Sequence, residues 1–171
     1  MELKESELYK QLTARKPASG PDKLFAKFEE FCITIQEQSK YIVALFPEYT
    51  PHDATNHLNH LFHLADRILG IDIYEKLNPT EIYLLAFGLY SHDWGMALTD
   101  SEQTCLIQGI VHAGTNLIPN ESANAKSFIE DHTLDLGSER EALREYVRFT
   151  HGNRSGTRIR HELLDLGTVF S

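Results

Sequence analysis

The sequence predicts an all-α fold, a helical bundle with a central buried helix. Two observations support this prediction. In several long segments apolar residues recur at the spacing of about 3.6 positions that is typical of one face of an α-helix. In addition, residues 84–96 are apolar almost throughout, and a helix without a polar face is normally buried on all sides. We therefore expect this segment to lie in the middle of the bundle.

Start and stop signals divide the chain into helices separated by short loops. Asn78, followed by Pro79 and Glu81, is a strong start signal for the central helix, which is predicted to run to Asp93. Gly70 and Gly152 are predicted to end their helices. The full set of predicted helices covers residues 5–15, 22–45, 55–69, 79–93, 99–111, 121–132 and 138–150, with a new helical pattern beginning at residue 158.

Length and composition indicate one domain. The chain has 171 residues, 42% hydrophobic and 24% charged, and can bury a single core. We take residues 1–171 as one domain with an amino-terminal extension, 1–20. Apolar Val169 and Phe170 at the end indicate a fragment that is truncated at its carboxyl terminus.

Charge and hydropathy exclude several partners. No segment is apolar over the roughly 20 residues that span a bilayer, and the amino terminus lacks the apolar stretch of a signal peptide. We therefore expect a cytoplasmic protein without a membrane partner. Because the net charge is −9 and the basic residues are scattered, long duplex nucleic acid is not expected to bind.

The central helix ends in adjacent potential metal ligands, His92 and Asp93. A buried ionised carboxylate costs several kcal/mol unless it has a partner. An imidazole nitrogen with a carboxylate oxygen suits zinc, iron or manganese. The alternative is structural: the two side chains cap the helix and bond each other.

The preceding helix carries three histidines that are not equivalent. His57 falls within the apolar arc of this helix, His60 lies just off its edge, and His63 points with Asp66 and Arg67 towards water. His57 is therefore a candidate ligand. The alternative is a buried histidine that bonds a backbone carbonyl.

These residues resemble the HD superfamily of metal-dependent phosphohydrolases, whose all-helical members carry a histidine, a later His-Asp doublet and a final aspartate. His57 matches the first histidine, and His92 with Asp93 matches the doublet. The resemblance covers roughly residues 45–160 and is closest to the bacterial HD domains found ahead of GHKL-type ATPase modules. It implies an HD-domain-like bundle and a following ATPase module as partner. The segments that carry it are residues 49–52, 56–61, 90–96 and 148–155.

The resemblance also implies a ligand set. His57, His92 and Asp93 would hold a divalent ion (Mn, Fe, Zn, Mg or Ni), and Asp93 would bridge to a second ion bound by His151, with His112 or His132 as less supported ligands. Arg154 is our candidate for stabilising a phosphoryl transition state, since its guanidinium matches two phosphate oxygens; the alternative is a solvated loop arginine. His52 is expected in a surface turn; the alternative is that it reaches the substrate. The predicted catalytic residues are thus Asp93 and Arg154.

Two positions depart from the family pattern. Met96 stands where many active relatives carry a lysine that contacts phosphate or acts as an acid. The final aspartate has no clear match among Asp131, Asp135 and Asp165, and we expect it to lie beyond residue 171.

Three functions remain open at this level. The first is an enzyme, a metal-dependent phosphohydrolase that acts on a nucleotide or another small phosphorylated ligand. The second is a catalytically impaired HD domain that serves as a nucleotide-sensing or regulatory module of a larger protein. The third is a purely structural site that supports the core.

Overall fold

The computed structural model describes residues 2–15, 22–48, 54–115 and 117–166, with 22–24, 54–55 and 162–166 as backbone alone. The described residues form eight α-helices and no strand, which confirms the all-α prediction. None of these helices combines the length and apolar character that crossing a membrane requires. The helices are α1 (Glu7–Ala14), α2 (Asp22–Leu45), α3 (Asn59–Leu69), α4 (Ile71–Tyr74), α5 (Pro79–Ser91), α6 (Asp100–Gln108), α7 (Glu121–Leu136) and α8 (Glu139–Leu166).

The central helix, α5, begins where the sequence predicts. The side chain of Asn78 accepts a hydrogen bond from the amide of Glu81 at 3.0 Å, and Glu81 accepts one from the amide of Asn78 at 2.8 Å. The helix packs against α1, α2 and α3. Its other edge is open, because Leu84 is 47% exposed. The expectation of burial on all sides is therefore wrong along that edge.

The amino-terminal segment belongs to the core, because α1 buries Leu8, Tyr9 and Leu12. It also covers the side of α3 that was predicted to face water. There Asp66 accepts hydrogen bonds from the first amides of α1, and the side chain of His63 is only 14% exposed. The prediction that these two side chains point towards water is wrong, because the tertiary contact with α1 is not visible in the periodicity of α3.

The carboxyl-terminal helix, α8, differs most from the prediction. It does not end at Gly152 but continues through Gly152 and Gly156 to Leu166. A glycine inside a helix costs about 1 kcal/mol relative to alanine. This cost is offset because α8 buries Arg154, Ser155 and Arg158 beyond the first glycine.

For α6, the predicted start is confirmed but the predicted end is not. Thr99 caps α6, and its capping box with Glu102 confirms the predicted start. The helix ends at Gly109, where the backbone turns left-handed (φ 69°), and Val111 is 71% exposed. The prediction that Ile110 and Val111 lie on its core face is therefore wrong.

Three elements meet at the end of α5. A π-helical turn, Ala54–Leu58, precedes α3, so the prediction that Thr55 or Asn56 caps this helix is wrong. A 3-10 turn, Trp94–Met96, follows α5, and α8 packs against it.

The motif segment 49–52, with His52, and the side chain of Asp165 lie outside the described residues.

Candidate metal centre

The π-helical turn and the end of α5 bring His57 to the His-Asp doublet. Nε2 of His57 lies 3.3 Å from Nε2 of His92 and 3.6 Å from Oδ2 of Asp93, and the latter two atoms are 2.8 Å apart. Four-coordinate metal sites with ligand bonds of 2.0–2.2 Å separate their donors by about 3.3–3.6 Å. The two distances from His57 fall in this range, whereas the 2.8 Å between His92 and Asp93 is a hydrogen-bond distance. All three donor atoms lie within 4.8 Å of one another, which is close enough for them to share one divalent ion.

The ring of His92 is oriented by the helix that carries it. Its Nδ1 lies 3.0 Å from the carbonyl oxygen of Leu89, one turn earlier in α5. When Nδ1 donates to this carbonyl, Nε2 holds the lone pair that a metal requires. The backbone of α5 thus selects the tautomer in which the ligand atom points at Asp93.

The pKa of His92 is raised above its usual 6.5 in the metal-free protein. Burial lowers this pKa, but the hydrogen bond to Asp93 and the charge of Asp93 outweigh the effect of burial. The carboxylate that would attract a cation to this position therefore also favours the protonated, cationic form of His92.

The two carboxylate oxygens of Asp93 face different histidines. Oδ2 faces His57 and His92, while Oδ1 lies 3.8 Å from Nε2 of His151 on α8. Nδ1 of His151 lies 2.6 Å from the carbonyl oxygen of Arg148, so its Nε2 is also the free ring nitrogen when Nδ1 donates. The Asp93 carboxylate therefore lies between the His57–His92 pair and His151.

The cluster lies at the surface of the bundle and not in its middle. The side chains of His92 and His151 are each 38% exposed, whereas those of His57 and Asp93 are 26% and 15% exposed. The four side chains are therefore partly accessible to solvent.

A comparison with known protein families supports this reading of the site. Residues 46–170, more than half of the chain, match the family model described as HD-CE. The chain belongs to the HD-CE family. No curated protein and no solved structure matched it.

Three further histidines that the structure describes in the HD-CE chain, His60, His112 and His132, lie outside the cluster. Among the described residues, the His, Cys, Asp or Glu side chains close enough to share one cation are His57, His92 and Asp93. His60 and His112 are exposed elsewhere, and His132 stacks on Phe128 with its Nδ1 2.8 Å from the Phe128 carbonyl oxygen.

Arg154 occupies the interior of the HD-CE domain. It is 1% exposed, its Nε donates to the carbonyl oxygen of Gly95 at 2.7 Å, and its terminal nitrogen pairs with Glu121. It is therefore not a solvated loop residue, and its contacts are those of a group that holds the turn after α5. Its contact with a phosphate stays a prediction.

Sequence reasoning missed the residues around Arg154. Ser155 and Arg158 also bond the turn, and Glu121 and Glu102 pair with the two arginines. One signal was present. His151, Arg154, Ser155 and Arg158 are spaced i, i+3, i+4 and i+7, which places them on one face of a helix. The predicted helix end at Gly152 separates these four residues into different elements and so hides their common face.

Proposed function

We propose that this HD-CE chain is a metal-dependent phosphohydrolase that acts on a nucleotide or another small phosphorylated ligand. The observation that carries the proposal is the convergence of His57, His92 and Asp93, with 2.8–3.6 Å between their donor atoms. Neutral imidazoles and a carboxylate are ligands that suit a catalytic divalent ion. The HD-CE match supports the same type of site.

Different residues of the chain would have different roles in such a site. A bound divalent ion supplies Lewis acidity, which polarises a phosphoryl oxygen and makes water a better nucleophile near neutral pH. His57 and His92 present their Nε2 lone pairs, and Asp93 balances the positive charge. Trp94 and Met96, which follow the doublet, are buried, whereas the ligand side chains are partly exposed, so substrate and water would approach from the solvent side.

A second candidate function is a catalytically impaired, nucleotide-sensing or regulatory module, placed ahead of a GHKL-type ATPase module in a larger protein. Two observations favour it. Met96, 6% exposed, stands where a phosphate-contacting lysine is expected from the resemblance, and Arg154 is engaged with Glu121. The charge of a phosphoryl transition state would then lack two of its expected cationic partners.

Metal analysis and turnover separate these functions. We would purify the full chain without chelator, measure bound metal, and assay an activated phosphodiester and a nucleotide panel in Mn²⁺. Asp93→Ala should abolish metal binding and turnover while the circular dichroism spectrum stays unchanged. Asp72→Ala, which removes an exposed carboxylate on α4, is the matched control and should behave as the wild type.

Each outcome selects one function. Metal with turnover that Asp93→Ala abolishes supports the phosphohydrolase. Metal and nucleotide binding without turnover on any substrate supports the sensor. Absence of metal binding under all conditions rejects both and leaves a structural cluster.

A further inference from the structure

Ser155 of α8 bonds the backbone on both sides of Asp93. Its hydroxyl donates to the carbonyl oxygen of His92 at 2.7 Å and accepts from the amide of Gly95 at 2.7 Å. The serine is 3% exposed, so water does not compete for these two bonds. One buried side chain therefore spans the turn that carries the candidate ligands.

The turn needs such a constraint because the helix ends there. His92 still has helical dihedral angles (φ −54°, ψ −38°), but Asp93 leaves them (φ −98°, ψ 5°). The hydrogen-bond ladder of α5 thus does not fix the direction of the Asp93 side chain. The two bonds of Ser155 begin one residue before Asp93 and end two residues after it.

Two arginines of α8 bond two further carbonyl groups of the turn. Arg154 donates to the carbonyl oxygen of Gly95 at 2.7 Å, and Arg158 donates to that of Trp94 at 2.8 Å. Arg158 also lies over the Trp94 ring, with its guanidinium carbon 5.5 Å from the ring centre. Side chains of α8 therefore bond the carbonyl groups of His92, Trp94 and Gly95 and the amide of Gly95.

Buried carboxylates in turn orient the two guanidinium groups. Arg154 pairs with Glu121 at the start of α7, and Arg158 pairs with Glu102 of α6 at 3.1 Å. All four side chains are at most 6% exposed. Since buried charges are tolerated only when they are paired, these pairs fix the arginines in one arrangement.

Gly95 lets α8 come close enough to make these contacts. A Cβ atom at this position would lie 2.1 Å from the carbonyl oxygen of His151 and 2.7 Å from the amide nitrogen of Ser155. The turn therefore packs directly on the backbone of α8. The same helix turn also carries the His151 ring, which faces Oδ1 of Asp93.

We infer that Ser155 is a positioning residue for the metal centre: it fixes His92 and Asp93 relative to His151, with Arg154 and Arg158 as its supports. The inference rests on the proposed metal site. Residues that orient metal ligands without touching the metal typically change affinity by about 10- to 100-fold when they are removed.

The test compares two buried serines in the full chain. Ser155→Ala removes both bonds to the turn. Ser122→Ala is the matched control, because Ser122 on α7 is 2% exposed and its hydroxyl has no partner among the described residues. For each protein we would measure the Co²⁺ dissociation constant, the visible Co²⁺ spectrum and the unfolding midpoint of the metal-free form.

We expect Ser155→Ala to bind Co²⁺ about 10-fold more weakly, with an altered visible spectrum, and Ser122→Ala to bind as the wild type does. A Ser155→Ala protein with lowered stability but wild-type affinity and spectrum would overturn the inference, since that is the result of a purely structural role. Equal weakening in both variants would also overturn it.

Arg158→Lys covers the case in which Ser155→Ala does not fold. Lysine keeps the charge facing Glu102 but cannot bond both Glu102 and the Trp94 carbonyl in the same geometry. Weaker Co²⁺ binding in a folded Arg158→Lys protein supports the inference, and unchanged binding overturns it. Failure of the wild type itself to bind Co²⁺ would reject the proposed function and the inference with it, which distinguishes that failure from failure of the variants alone.

Discussion

The two sides of the turn after α5 differ in how their polar groups are used. On the solvent side, the side chains of His57, His92 and His151 are 26–38% exposed, and their ring nitrogens face the carboxylate of Asp93. On the α8 side, Ser155, Arg154 and Arg158 bond the turn, and the two arginines pair with carboxylates; all of these side chains are at most 6% exposed.

This difference predicts which substitutions change metal binding and which change the stability of the fold. Groups on the α8 side are buried. Removal of one charge there leaves its partner uncompensated, and added bulk creates a steric clash, so both kinds of substitution change stability first. Groups on the solvent side are open to water, so their removal should change metal binding with little effect on stability. Each prediction below tests one side of this comparison.

The largest effect is expected from Arg154→Met. The substitution leaves Glu121 buried without its cation, which should lower the free energy of unfolding by about 4 kcal/mol. The double variant with Glu121→Gln removes the stranded charge and should recover part of this loss. Urea denaturation of the metal-free proteins measures both. A single variant as stable as the wild type would place Arg154 outside the α8-side network and leave its predicted contact with phosphate as the better account.

The second-largest loss of stability is expected from Gly95→Ala. The added methyl group would lie 2.1–2.8 Å from atoms of α8, and relief of this clash should cost about 3 kcal/mol and weaken metal binding. Gly88→Ala is the control, because a Cβ atom at position 88, on the open edge of α5, meets nothing within 4 Å. It should raise stability by up to about 1 kcal/mol. Urea unfolding reports both changes, and equal effects at the two glycines would refute the close packing of the turn on α8.

On the solvent side, His57→Ala should reduce metal affinity by about 100-fold or more, because it removes one of three donors. Stability of the metal-free protein should change by less than about 1 kcal/mol. His60→Ala, three residues along and exposed, should leave both quantities unchanged. Calorimetric titration with Zn²⁺ measures affinity; similar losses in both variants would argue against the assignment of His57.

The smallest effect is a pH dependence centred on His92. Its pKa is raised in the metal-free fold, so its contribution to stability is complete below 6.5, the pKa in the unfolded chain, and is lost as pH rises through the folded value. Metal affinity should rise over the same window, because metal and proton compete for Nε2. Unfolding and titration between about pH 5 and 8 would show opposite slopes in the wild type. In Asp93→Asn the slope of stability should be much reduced.

Local signals predicted much of this molecule. The capping residues Asn78 and Thr99 act within three positions of themselves, and the structure confirms both helix starts. The structure also brings His57 to the doublet, although the role of these residues as metal ligands remains a proposal. A helix that is apolar on most sides leaves few places for a polar end, so this convergence could be anticipated.

The predictions that were wrong depend on contacts between residues far apart in the sequence. Arg154 pairs with a residue 33 positions away and Arg158 with one 56 positions away, and no local pattern announces such pairs. Their burial extends α8 past Gly152, where propensity alone predicts an end. Asp66 was likewise misjudged, because its partners lie on α1, 58 and 59 residues earlier.

The π-helical turn Ala54–Leu58 has a consequence for how relatives of this chain should be aligned. A π turn accommodates one more residue than an α turn, and His57 lies inside it. Loss of a single residue in this stretch would rotate the imidazole by about 100° around the helix axis and aim it away from the doublet. An alignment gap between positions 54 and 58 therefore signals a different first ligand even where a histidine is retained.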